Sequence, residues 1–239
     1  SGLDKCLRKL QRGQNSDGSF AGGTWAGVLQ SAMANSALEL GQAAGGEVAE
    51  DALVRSKEYQ QGNLDVHSGE VRTDAAAGVS LYALTGTQRA TARDARKTEE
   101  ILSEAKGKGL VAKNAEPTVD NLMKAGTPQP EAEKLMKSYK QNQIGRQQLQ
   151  DEQVLSGFGN NGGEEYLSHM MTSESLVITD RNEWSAWSQK MGQRFEKIQN
   201  PNGSWSGHHC ITSPVFCTAA VVMAVTADRD AELLAGKVN

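Results

Sequence analysis

Two stretches far apart in the chain carry the same turn. Gln14-Asn15-Ser16-Asp17-Gly18-Ser19-Phe20 and Gln199-Asn200-Pro201-Asn202-Gly203-Ser204-Trp205 share glutamine, asparagine, glycine, serine and an aromatic residue at the same spacing. Asn, Asp and Gly are turn formers, and each copy follows a segment with helical apolar periodicity. Leu3, Leu7 and Leu10 share a face before the first copy; Trp184, Trp187, Met191, Phe195 and Ile198 form a stripe before the second. After each copy comes a more apolar helix: Trp25, Leu29, Met33, Ala37 and Leu40 on one face, and the almost wholly apolar run opened by Ser213-Pro214. A chain that repeats turn and flanks in this way is built from helix hairpins.

The same alternation runs between the two copies. Glu47 to Gln61 reads as a polar outer helix. Ala75 to Leu84, with Asp74 as N-cap, is apolar or small on every face and is predicted to be buried all round. Gln88 to Lys106 is strongly polar and predicted as a separate outer helix closed by Gly107 and Gly109. Thr118 to Lys124 and Glu131 to Gln150 are further helices, and Gly157 to Gly163 is another glycine-rich turn. The segment after it aligns with the C-terminal copy at a forty-residue offset, pairing Gly163 with Gly203, His169 with His209 and Thr172-Ser173 with Thr212-Ser213. Asn182 to Gln199, the run ending near Val225 and a tail helix from Ala227 to Val238 complete the order. Five hairpins are traced and a sixth is compatible, in a single domain over residues 1–239. The polar outer set and the apolar inner set favour an all-α fold closed into an α/α toroid, a barrel of inner and outer helices.

The two turns resemble the glutamine–tryptophan motif of squalene and oxidosqualene cyclases, with related repeats in protein prenyltransferase β-subunits. The resemblance implies an α/α toroid in which Gln14 and Gln199 cap a neighbouring helix while Phe20 and Trp205 lock the turns. It implies less about activity, because function resides in sites grafted on a fold. The Asp-x-Asp-Asp acid of the squalene–hopene type is missing, since Asp228-Arg229-Asp230 lacks the following acid. Aromatic residues are only 5%, too few for a pocket that stabilises carbocations. The Asp-x-Cys zinc pair of the prenyltransferases is matched only by Asp4-Lys5-Cys6, on the first outer helix and away from a barrel mouth.

Composition narrows the classes of partner. With 38% hydrophobic and 23% charged residues the chain is globular rather than disordered, and a net charge of -4 offers no general attraction to nucleic acid. The longest apolar run, Val215 to Val225, is too short to span a bilayer, and no signal peptide is legible. Three cysteines, Cys6, Cys210 and Cys217, make no disulfide framework. If the ring closes, a Cys6–Cys210 or Cys6–Cys217 bridge comes within reach and places the chain in a secreted or periplasmic compartment. Three reduced thiols point to the cytoplasm instead.

The residues able to carry chemistry fall in the segments before the inner helices. They are His67, Glu70, Arg72 and Asp74, then Asp120, then Glu164, Glu165 and His169, then His208, His209 and Cys210. Three readings stand side by side. Zinc would be held by His169, His209 and Cys210, with Glu165 completing the set. Anions would be bound at the helix N-termini with help from histidine. Otherwise these groups simply cap the inner helices or stand exposed at the mouth. Cys210 beside His209 or His169 is the one candidate nucleophile pair, and Gly162-Gly163 lacks the Gly-Lys-Ser/Thr of a phosphate loop. The expected function is a toroid domain binding a ligand or protein partner at its mouth. The alternatives are a metal-dependent hydrolase, transferase or lyase, and isoprenoid processing by family analogy.

Overall fold

The computed structural model describes residues 1–20, 22, 26–159 and 161–237. Trp25, Asn160 and Val238, which figure in the expectations above, lie outside them. The fold is all-α. The helices are α1 (Gly2–Arg12), α2 (Gly27–Ala43), α3 (Glu50–Gln61), α4 (Ser80–Gly107), α5 (Val119–Lys124), α6 (Gln129–Gln148), α7 (Glu152–Leu155), α8 (Gly163–Thr179), α9 (Arg181–Lys197), α10 (Pro214–Thr226) and α11 (Ala231–Leu234). Among the described residues no helix is long and apolar enough to cross a membrane.

Local chemistry sets several boundaries. Ser1 and Asp4 form a capping box on α1. Asp180 accepts the Asn182 and Glu183 amides to start α9, and Ser213 caps α10 with Pro214 at its first position. Contacts between helices then give a row. α2 packs on α4, α4 on α8 and α8 on α10, while α1, α3, α6 and α9 pack behind them. The Gln60 amide at the end of α3 donates to the Val28 carbonyl at the start of α2. Trp187 on α9 donates to Ser173 on α8, and Phe195 lies against Tyr166. Outer helices therefore run antiparallel to inner ones, and all four inner helices begin at the same end. α8 sits at the centre, buried from Gly163 to Ile178.

The two glutamine turns have the same geometry. Gly18 and Gly203 have φ of 86° and 83°, which only glycine adopts freely. Asn15 and Asn200 each donate a backbone amide to the serine four residues on. The Phe20 amide donates to Ser31 Oγ at 2.9 Å and the Trp205 amide to Thr218 Oγ1 at 3.0 Å. The Trp205 indole also donates to the Phe195 carbonyl at 2.9 Å. Trp205 is half-buried, so Trp205→Ala is expected to cost about 2 kcal/mol, below the range for fully buried aromatics. A urea melt with an unchanged midpoint would remove the turn lock from the account.

Four expectations are corrected. Ala75–Leu84 and Gln88–Lys106 are not two helices: after a 3₁₀ turn at Asp74–Ala76, α4 runs unbroken from Ser80 to Gly107. Thr85-Gly86-Thr87 does not break it, because Gly86 lies against Ala32 and Gln60, where a Cβ would meet the Gln60 amide oxygen at 2.5 Å. Among the described residues the hairpins therefore number four rather than five or six. The forty-residue offset has no structural meaning, since Gly163 opens a helix while Gly203 sits in a turn, and Thr172-Ser173 is mid-helix while Thr212-Ser213 precedes one. Ring closure, which would set the first hairpin against the last, is not seen at the Leu7–Leu10 face, which packs instead on Phe20, Ala34, Leu38, Val48 and Leu53. Of the two readings left open for the cysteines, the structure has the reduced one, with Cys6 and Cys210 exposed and Cys217 buried.

Candidate functional site

The site lies where α8 begins. Gly163 donates its amide to the Ile211 carbonyl at 2.9 Å and His208 donates to the Asn161 carbonyl at 2.8 Å, so the loop before α10 is stitched to the turn before α8. The approach is close enough to exclude side chains: a Cβ on Gly207 would lie 2.1 Å from the Ile211 oxygen, and one on Gly162 would lie 2.5 Å from the His209 ring. Glycine here is required by contact rather than by φ.

This stitching brings Glu164, Glu165 and His209 together, with one ligand-type atom from each lying within 4.8 Å of the others. Glu165 is held on all sides. Tyr82 donates its hydroxyl at 2.6 Å and the Phe158 amide donates at 3.2 Å to one oxygen. The Gly162 amide donates to the other oxygen at 2.7 Å, closing the N-terminus of α8 in capping-box fashion. His209 Nε2 stands 3.1 Å from that same oxygen, and its ring tilts against Phe158. Burial and the Glu165 carboxylate push the Tyr82 hydroxyl far above its ordinary value.

Glu164 is differently placed. Its side chain is fully buried, one oxygen accepts the Ile211 amide at 3.4 Å, and the other has no hydrogen-bond partner among the described residues. His209 Nδ1 lies 4.0 Å from the bonded oxygen. Desolvation raises the Glu164 pKa, with Glu165 adding to the effect. Cys210 is exposed with φ 46°, and burial and the two glutamates raise its pKa, which disfavours a thiolate nucleophile.

The other sequence candidates separate. His169 is not at the mouth: it is buried inside α8 between Trp187 and Phe195, and desolvation, aided by Arg194 and Lys190, lowers its pKa to about 3. His169 and Cys210 therefore stand outside the cluster that could hold an ion. His208 is exposed beside it. Asp120 is exposed on α5, which packs on α6 and α4 away from the α8 turn. His67, Glu70, Arg72 and Asp74 are exposed on the loop before α4, where Gln148 of α6 donates to the Gly69 carbonyl. Asp74 pairs with Arg72 rather than capping a long helix. Sequence reasoning assigned no role to Tyr82, whose position amid an apolar run signals core. No family model matches the chain, and comparisons with curated proteins and with solved structures find no match.

Proposed function

We propose that this chain is a helix-hairpin domain, its hairpins like those of α/α toroids but standing in an open row, that binds a zinc ion through Glu164, Glu165 and His209, at the end where its inner helices begin. The observation that carries the reading is the buried, unbonded oxygen of Glu164 beside an imidazole and a second carboxylate. A carboxylate in that setting either keeps its proton or takes a cation. Imidazole nitrogen and carboxylate oxygen suit zinc, and three protein ligands leave a fourth position for water. That open position is what a metal-dependent hydrolase or lyase uses, with zinc activating the bound water. The ion displaces the proton that desolvation favours on Glu164, so affinity rises with pH.

The hairpin order and the matched glutamine turns support the likeness to toroid hairpins. Isoprenoid chemistry fits less well, because the space between α2, α4 and α8 is occupied by a buried charged triad, Arg89 with Glu39 and Glu174. Calorimetric titration of protein made without a histidine tag tests the reading. Zinc is expected to bind one ion per chain, and Glu164→Gln to weaken binding roughly tenfold or more. No uptake by the wild-type chain, or wild-type affinity in Glu164→Gln and His209→Gln, rejects it.

A further inference from the structure

The two matched turns set α2 and α10 in register. Ser31 and Thr218 accept the equivalent amides of Phe20 and Trp205, and the same register pairs Gly27 with Pro214, the first residue of each helix. It then pairs Val28 with Val215, Ala32 with Ala219, Asn35 with Val222 and Ser36 with Met223. On α2 this stripe is buried. Val28 meets Gln60 of α3, and Ala32 meets Gly86 of α4. On α10 the same stripe is bare: Val215 is 81% exposed against 0% for Val28, and Val222 47% against 1% for Asn35. Pro214, Val215, Ala219, Val222 and Met223 line an apolar groove there.

The glutamines tell the same story. Gln14 reaches into the next hairpin, donating to the Ala52 carbonyl at 2.8 Å in the first turn of α3 and accepting from Arg55 at 2.9 Å. The Gln199 side chain bonds only Gly203 of its own turn among the described residues. The last hairpin has every device for receiving a following hairpin.

The opposite end has the matching deficit. α10 turns Cys217, Ala220 and Ala224 towards α8, and all three are buried. Their counterparts on α2 include Met33 and Ala37, both exposed, which line a groove with Cys6, Leu10 and Phe20. The exposed α10 face is shaped to receive a hairpin, and the exposed α2 face is shaped to be received. We propose that the α10 face receives the α1/α2 hairpin of a second copy of this chain, head to tail, with Gln199 bonding the first turn of the incoming α1. The contact repeats the packing that α2 already makes with α3 and α4. Because donor and acceptor faces differ, the contact is heterologous and propagates into a ring or an open chain of copies.

Sedimentation velocity of the whole chain over a range of concentrations tests this. The wild type is expected to associate as concentration rises. Val222→Lys blocks the receiving face and Met33→Lys the inserting face, each at an exposed position where folding is unaffected and circular dichroism verifies it. Each variant alone is expected to be monomeric, and an equimolar mixture is expected to form dimers and nothing larger. A wild type that stays monomeric up to its solubility limit overturns the proposal. So does a Met33→Lys variant that still associates, which would mean that α10 pairs with α10 instead. A mixture that stays monomeric when the wild type associates overturns it equally.

Discussion

Arg89→Met is expected to destabilise the chain by about 4 kcal/mol, the usual consequence of breaking a buried ion group from one side. Arg89 lies on α4 and is almost wholly buried. Its Nη1 donates to Glu39 of α2 at 2.7 Å and its Nε to Glu174 of α8 at 2.6 Å. Burial opposes its charge, but the two carboxylates outweigh that and hold the guanidinium protonated. Methionine fills much of the volume, yet it leaves Glu174 in the core without its cation and Glu39 with only the Arg93 guanidinium, 3.8 Å away. Adding Glu39→Gln and Glu174→Gln to the same variant removes those buried charges and is expected to recover a large part of the loss. Denaturant midpoints decide the matter. A single variant as stable as the wild type would mean that water reaches the triad, and that it does not tie α2, α4 and α8 together.

That triad shows what periodicity can and cannot reveal. The stripe Trp187, Met191 and Phe195 is buried as its spacing predicts, because one face of an amphipathic helix has one place to go. The glutamine turns were legible for the same local reason: the bonds that shape each turn, from glutamine to glycine and from asparagine to serine, span four residues. Arg89 was not, since a charge inside a polar run reads as solvent-facing, and its partners lie 50 and 85 residues away. The α4 boundary failed because Gly86 reads as a breaker until Ala32 and Gln60 are seen against it. At the site, Glu165 and His209 were both named, but His169 was joined to them through a sequence offset that the fold does not keep. A helix rises only 1.5 Å per residue, so His169 belongs to the interior of α8 while Glu165 belongs to its first turn.

The buried place of His169 has a consequence in acid. Neither ring nitrogen has a hydrogen-bond partner, and the ring packs against Trp187 and Phe195. Its pKa is lowered to about 3 in the folded chain, by desolvation first and then by Arg194 and Lys190. In the unfolded chain it titrates near the ordinary histidine value. Between those two points the unfolded state binds a proton that the folded state refuses. Stability from this group is thus complete above the ordinary value and falls as the pH drops, by about 1.4 kcal/mol per pH unit. At about pH 4 the loss relative to neutrality is expected to reach roughly 3 kcal/mol. His169→Phe keeps a ring between Trp187 and Phe195 and removes the titrating nitrogens, so its stability should fall less steeply over the same interval. The measurement is a series of urea melts of both proteins from neutral pH down to pH about 4, and the difference between the two slopes isolates His169 from the carboxylates that titrate alongside it. Parallel curves would mean that the imidazole takes up its proton in the folded chain, which a position between two aromatic rings without a polar partner does not permit.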